Sequence, residues 1–216
     1  MVQNNFEFEI RRLAYDQTSG SQPGVVFLGG FNSNKDGTKA RHLEAWAQQS
    51  GRAFLRFDYS GHGASFGTIQ EGCIGDWTND AEAIITGLTK GPQVLVGSSM
   101  GGWIALLLAK RMPERIAGLV TIAAAPDFTE EKYWSGFTAE ERDRLARDGA
   151  IEIDSPYDEP PYIITERLIK DGRDNLVFGA PLTLPMPTRV LHGTADEAIG
   201  HEVSLRLLEH ADARDM

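Results

Sequence analysis

Cysteine is almost absent: Cys73 is the one thiol in 216 residues. A lone cysteine excludes an internal disulfide and a cysteine-built metal cluster, and its ordinary place is a small buried apolar site. No apolar run approaches the ~20 residues that span a bilayer, so no membrane span is expected. Met1 to Ile10 has no basic segment followed by an apolar one, so no signal peptide is read there and a cytoplasmic protein is the expectation. Positive charge is scarce too. Lys and Arg number 21 against 31 Asp and Glu, a formal charge of −10, with no basic run to offset it. A field of that sign repels phosphate backbones, so nucleic acid is not an expected partner. The glycine fingerprints of dinucleotide and nucleotide loops are missing as well, so no cofactor is expected.

What is present suits one sizeable core: 41% of residues are hydrophobic and 24% charged. There is no internal repeat and no low-complexity tract. Short apolar runs alternate with segments of helical period. Val25 to Leu28 reads as a strand ending in Gly29-Gly30. Thr38 to Ser50 reads as a helix with Leu43, Trp46 and Ala47 on one face and Gly51 as its stop. Ala53 to Phe57 is the next strand. Asp76 is placed as the cap of a helix carrying Trp77, Ala81, Ile84, Ile85 and Leu88. Val94 to Val96 leads into Trp103 to Leu108, apolar on every side and so expected to be buried. Leu119 to Ile122 and Arg189 to Leu191 are further strands. Such alternation means parallel strands with helical crossovers and both faces covered, an α/β fold. Phe6 to Ile10 alternates instead and is read as an antiparallel edge strand.

Between Pro126 and Leu184 the rhythm breaks. About 55 residues is far longer than a normal connection of ~4–6. The division expected is therefore a core at 1–126, an inserted helical cap at 127–184, and the rest of the core at 185–216. Within the cap, Thr138 to Glu141 reads as a capping box. Tyr162 to Lys170 reads as another helix, ended by Gly172.

Gly97-Ser98-Ser99-Met100-Gly101 fits G-x-S-x-G. With 23 Gly and 11 Ser, chance alone gives roughly 0.1 matches in a chain of this length, so context decides. The strand before and the helix after supply that context. A serine on a tight strand-to-helix turn projects its hydroxyl above the sheet and needs small residues two before and two after it. Ser99 has Gly97 and Gly101 there, whereas Ser98 has Val96 and Met100. Ser99 is thus the candidate nucleophile and Ser98 a spacer. The Met100 N–H, at the head of the following helix, is one candidate oxyanion donor. The Phe31 N–H, in the Gly29-Gly30 loop, is the other.

A serine needs a base, and the base an orienting acid. Asp196, in His192-Gly193-Thr194-Ala195-Asp196, follows a strand and is the candidate acid. Its alternative role is a loop aspartate that makes its own turn. The base is harder to place. His42, His62 and His192 precede Asp196, whereas His201 and His210 follow it closely. A helix, a strand and two connections beyond the acid need roughly 25 residues, and only 20 follow. The expectation is a fragment without its base strand, nearly inactive and with a sheet edge uncovered. The alternative recruits His201 or His62.

Phe57 to Ser65, Gly97 to Trp103 and Leu191 to Asp196 together resemble the α/β-hydrolase fold. Asn34 to Ala40, Ile74 to Trp77 and Gly91 to Ser99 are similar, more narrowly, to bacterial relatives of the mitochondrial α/β-hydrolase-domain palmitoyl-protein thioesterase, which is also an acyl-glucuronide esterase. The resemblance implies a serine hydrolase of esters or thioesters, S-acyl cysteine included, with Ser99 as nucleophile and Asp196 as acid. It implies a small ester, a small thioester or an acylated protein as substrate. Tyr133, Trp134, Phe137, Tyr157 and Tyr162 are candidates for an acyl pocket, or they pack the cap onto the sheet. Two other readings stay open: cleavage of a carbon–carbon or amide bond on the same fold, and a non-catalytic binding protein.

Overall fold

The computed structural model describes residues 4–8, 11–155 and 161–216. The chain opens with three strands, β1 (Asn4–Phe8), β2 (Arg11–Thr18) and β3 (Ser21–Leu28). Helix α1 (Thr38–Gln49) returns to β4 (Arg52–Phe57), and α2 (Ile74–Leu88) to β5 (Gln93–Ser98). Helix α3 (Met100–Arg111) then leads to β6 (Ile116–Ile122). The cap region holds a π-helical turn at Thr129–Trp134, α4 (Ala139–Asp148), β7 (Ala150–Ile153), β8 (Tyr162–Thr165), α5 (Glu166–Asp174) and β9 (Leu182–Leu184). The chain returns through β10 (Thr188–Leu191), α6 (Glu202–His210) and β11 (Ala211–Ala213).

The main sheet runs β1-β2-β4-β3-β5-β6-β10. It is parallel from β4 to β10, and β2 and β1 add antiparallel pairs at one edge. The antiparallel edge strand read from Phe6 onward is β1, and the Glu9-Ile10 part of that reading lies outside the described residues. Strand β2 was not legible, because its alternation is interrupted by polar side chains. At the other edge, the Thr188 N–H donates to the Asp215 carbonyl at 2.8 Å, and Leu191 is exposed.

Helix α3 is buried from Met100 to Ala109, as its unbroken apolar run requires. Its Trp103 Nε1 donates to the Asn175 carbonyl at 2.9 Å, which ties the cap to the helix that follows Ser99. The start and end of the cap are tied together as well. The Asp127 carboxylate accepts from the Val177 and Phe178 N–H groups at 2.7 and 2.9 Å.

Two local expectations need correction. Asp76 is not the cap of α2. Cys73 holds that position and Asp76 lies in the first turn, where a carboxylate still favours the positive helix end. Cys73 is buried, and burial pushes its thiol up to about 12. In addition, Tyr162 to Lys170 is not one helix. The β-branched run Ile163-Ile164-Thr165 pairs antiparallel with β7, and Thr165 then caps α5 by accepting from the Leu168 N–H at 3.1 Å. Gly172 lies inside α5, pressed against Thr129 of the π-helical turn, where a methyl group would stand 2.1 Å from the Thr129 hydroxyl oxygen.

Candidate active site

The turn between β5 and α3 has the strain that the motif predicts. Ser99 sits at φ 54° and ψ −120°, a positive φ that L-residues rarely adopt. A Cβ on Gly97 would lie 2.3 Å from the Gly101 carbonyl oxygen, and one on Gly101 would lie 2.1 Å from that of Leu28. Only glycine fits either place. The turn is held by its neighbours: the Ser99 N–H donates to the Ile122 carbonyl at 3.0 Å, and the Ala125 N–H donates to the Ser99 carbonyl at 3.1 Å.

The Gly29-Gly30 loop comes close beside it. A Cβ on Gly30 would stand 3.4 Å from that of Ser99. The N–H groups of Phe31 and Met100 make no backbone hydrogen bond among the described residues, so both remain available to an incoming oxygen. The loop is anchored by Asp58, whose carboxylate accepts from the Lys35 N–H at 2.5 Å and the Ala64 N–H at 3.0 Å. Burial nevertheless raises the Asp58 pKa.

Ser99, Phe31 and Tyr162 line one cavity of about 50 Å³, together with Ala125, Phe128, Lys132, Tyr133, Ala198 and Ile199. It adjoins a groove of about 440 Å³ that shares Ala125, Phe128, Lys132, Ala198 and Ile199. Four of the predicted residues, Ser99, Phe31, Tyr133 and Tyr162, therefore meet in one place. Trp134 does not join them. The guanidinium groups of Arg142 and Arg173 lie over its ring, 4.9 and 4.5 Å from its centroid, so it serves the cap surface. Phe137 is also elsewhere, stacked on Tyr133 at 6.5 Å and lining a different groove of the cap. Tyr157 lies outside the described residues.

Asp196 does not line the Ser99 cavity, but its loop does. Its carboxylate accepts from the N–H groups of Ala198 and Ile199 at 2.9 and 3.0 Å, so it makes its own turn while shaping one wall. Lys132 was missed by sequence reasoning because a lone cap lysine carries no pattern. Its ammonium donates to the Ala198 carbonyl at 2.9 Å. Partial burial lowers its pKa, and the attraction of Asp196 pulls the other way.

None of the five histidines lines the cavity. His42 and His201 are exposed. His192 bonds to the Ser204 hydroxyl at 2.6 Å and the Ile199 carbonyl at 2.8 Å, bracing the acid loop. His210 bonds to the Val177 and Ala180 carbonyls. His62 is buried behind Phe31 against Trp77 and Tyr59. Its Nδ1 lies 3.2 Å from the Ser60 carbonyl and so carries the proton, while Nε2 has no partner. Desolvation lowers its pKa to about 4, so it is neutral. Among the described residues, no group of acidic, histidine or cysteine side chains is arranged to hold a metal. Nor is any helix there long and apolar enough to cross a membrane.

A sequence profile of the alpha/beta hydrolase fold matches residues 23–150. The chain belongs to the α/β-hydrolase fold family. It is 35% identical to rat mitochondrial palmitoyl-protein thioesterase ABHD10 over 96% of its length and 70% of the relative's. For the human protein of that name the figures are 33%, 96% and 68%. Two solved structures are similar throughout. One is a putative hydrolase from Agrobacterium vitis S4, with TM-score 0.92 and 35% identity, covering all of this chain and 90% of that one. The other is mouse alpha/beta hydrolase domain-containing protein 10, with TM-score 0.89 and 32% identity, covering all of this chain and 86% of that one. The strained turn and the open N–H pair are thus features of this hydrolase at the place where strand meets helix.

Proposed function

We propose that this chain is a serine hydrolase of carboxylic esters or thioesters, working through an acyl-serine formed on Ser99. The observation that carries the reading is the Ser99 turn itself. A positive φ is held there by glycine contacts that no other residue satisfies, and such stored strain gathers at reacting groups. The Ser99 oxygen attacks the substrate carbonyl. The developing oxyanion is received by the Phe31 and Met100 N–H groups. The leaving alcohol or thiol departs with a proton, and water then releases the acid and restores Ser99.

Asp196 is the proposed orienting acid, and none of the five histidines is assigned the base. The apolar walls from Phe128, Tyr133, Tyr162 and Ile199 suit an acyl group. The relatives named as palmitoyl-protein thioesterases favour S-acyl cysteine among the possible leaving groups. The division into core 1–126, cap 127–184 and core 185–216 belongs to the proposal, supported by the long connection between β6 and β10. So does residence in the cytoplasm, which cell fractionation checks.

The test uses protein expressed from its whole reading frame. A fluorophosphonate probe labels wild type and not Ser99→Ala, and wild type hydrolyses p-nitrophenyl esters and S-acyl-N-acetylcysteamines. Labelling that survives Ser99→Ala removes the nucleophile. Turnover of amides with no turnover of either ester removes the bond class.

A further inference from the structure

Beside the Gly29-Gly30 loop, and not lined by Ser99, lies a separate cavity of about 180 Å³ at the N-terminus of α1. Every α-helix leaves its first N–H groups without an internal partner. In α1 the first N–H with a backbone acceptor is that of Arg41, bonded to the Gly37 carbonyl at 3.0 Å, which leaves those of Thr38, Lys39 and Ala40. Most helices cover such donors with a capping side chain or an acidic first turn. This one has neither: its cap residue is Gly37, and no acid stands in the first turn. Asp36 lies just before it, but its carboxylate is engaged by Arg56 and Arg41.

A second feature points into the same cavity. Ser98 is only 8% exposed, lines this space, and its hydroxyl has no hydrogen-bond partner among the described residues. A hydroxyl on a cavity wall with no protein partner is free to donate to, or accept from, a group that enters the cavity. The Ser33 and Lys39 side chains also line the cavity, and no carboxylate does. The wall therefore offers N–H donors, hydroxyls and one ammonium. A set of that kind fits a compact oxyanion.

We propose that this cavity binds a phosphoryl group, held by the Thr38 and Lys39 N–H groups, the Ser98 hydroxyl and the Lys39 ammonium. The site stands apart from the proposed hydrolysis but shares a wall with it. A Cβ on Gly30 would lie 3.4 Å from both the Ser33 hydroxyl oxygen and the Ser99 Cβ. One loop residue thus separates the phosphoryl site from the nucleophile, and occupancy is felt by the oxyanion loop. The proposal does not need the hydrolase reading to hold, because its test reads binding and not turnover.

The experiment titrates the protein from its whole reading frame with inorganic phosphate, with ionic strength held constant by sodium chloride, and follows amide NMR shifts. Saturable shifts confined to residues 29–40 and 98 are expected, with the dissociation constant raised at least fivefold in both Ser98→Ala and Lys39→Gln. Lys39 is exposed, so its variant stays informative if Ser98→Ala folds poorly. Glycerol 3-phosphate and glycerol separate the sources. If the phosphomonoester displaces phosphate and glycerol does not, the ligand is a phosphorylated metabolite. If inorganic phosphate alone binds, the ligand is free phosphate. Shifts that never saturate, that scatter over the surface, or that are unchanged in Lys39→Gln overturn the proposal.

Discussion

Substituting Gly101 by alanine tests the elbow most directly. Alanine is the better helix former by about 1 kcal/mol at an interior position, and Gly101 is the second residue of α3, so propensity alone predicts a gain. Packing predicts the reverse. The added Cβ would stand 2.1 Å from the Leu28 carbonyl oxygen, 2.5 Å from the Leu28 carbonyl carbon and 2.5 Å from the Gly29 carbonyl oxygen. All three are backbone atoms at the end of β3, so no side chain can turn away. Relief needs α3 or the Gly29-Gly30 loop to move by more than 1 Å, and overpacking of that kind costs about 1–3 kcal/mol or more. The net expectation is a loss of about 2 kcal/mol in urea unfolding, with unchanged m-value, and at least tenfold slower fluorophosphonate labelling of the folded protein. Gly136→Ala is the control, since nothing lies within 4 Å of that position and its φ is ordinary. It should change stability by less than about 0.5 kcal/mol. A Gly101→Ala variant as stable as wild type would refute the packing argument.

The remaining expectations concern His62, Lys132 and Trp134. His62 is held neutral, with its folded pKa near 4 against 6.5 in an open chain. Between those values the unfolded chain binds more protons, so stability falls as pH drops from 6.5 towards 4, by about 3 kcal/mol at full development. Urea midpoints at pH 7 and 4.5 should show that loss in wild type and a much smaller one in His62→Leu; equal slopes reject it. Lys132→Met removes the bond to Ala198 and loosens the Asp196 loop, lowering kcat/KM about tenfold, the effect of roughly one hydrogen bond. An unchanged kcat/KM would show that the loop is held without it. Trp134→Ala loses two guanidinium contacts at the cap surface, about 1–2 kcal/mol of stability, and leaves KM unchanged. A raised KM would return Trp134 to the substrate pocket.

The sequence revealed most where one physical demand acts locally. The unbroken apolar run of α3 required burial, and Gly97 and Gly101 selected Ser99 over Ser98, because both follow from neighbours along the chain. Thr138 gave its capping box for the same reason, with Glu141 three residues on. What escaped was set by distant partners. Trp134 looked like a pocket aromatic because the arginines that lie over its ring are contributed by α4 and α5. Tyr162 looked helical because its pairing with Ile153 is a tertiary fact. Lys132 depends on its bond to the loop after β10, and the enclosure of His62 on Phe31 and Trp77 from other parts of the chain, and nothing in residue spacing records that.

The single thiol has a practical consequence. Cys73 is buried at the head of α2, with its ionisation pushed far above neutral pH, so alkylating reagents, which need the thiolate, pass over the native state. Any cysteine engineered onto the surface can therefore carry a fluorophore or spin label at one address without first deleting the natural one. The natural one keeps a use of its own. Its rate of modification clocks how often the start of α2 opens, a reporter of local unfolding already built into the chain.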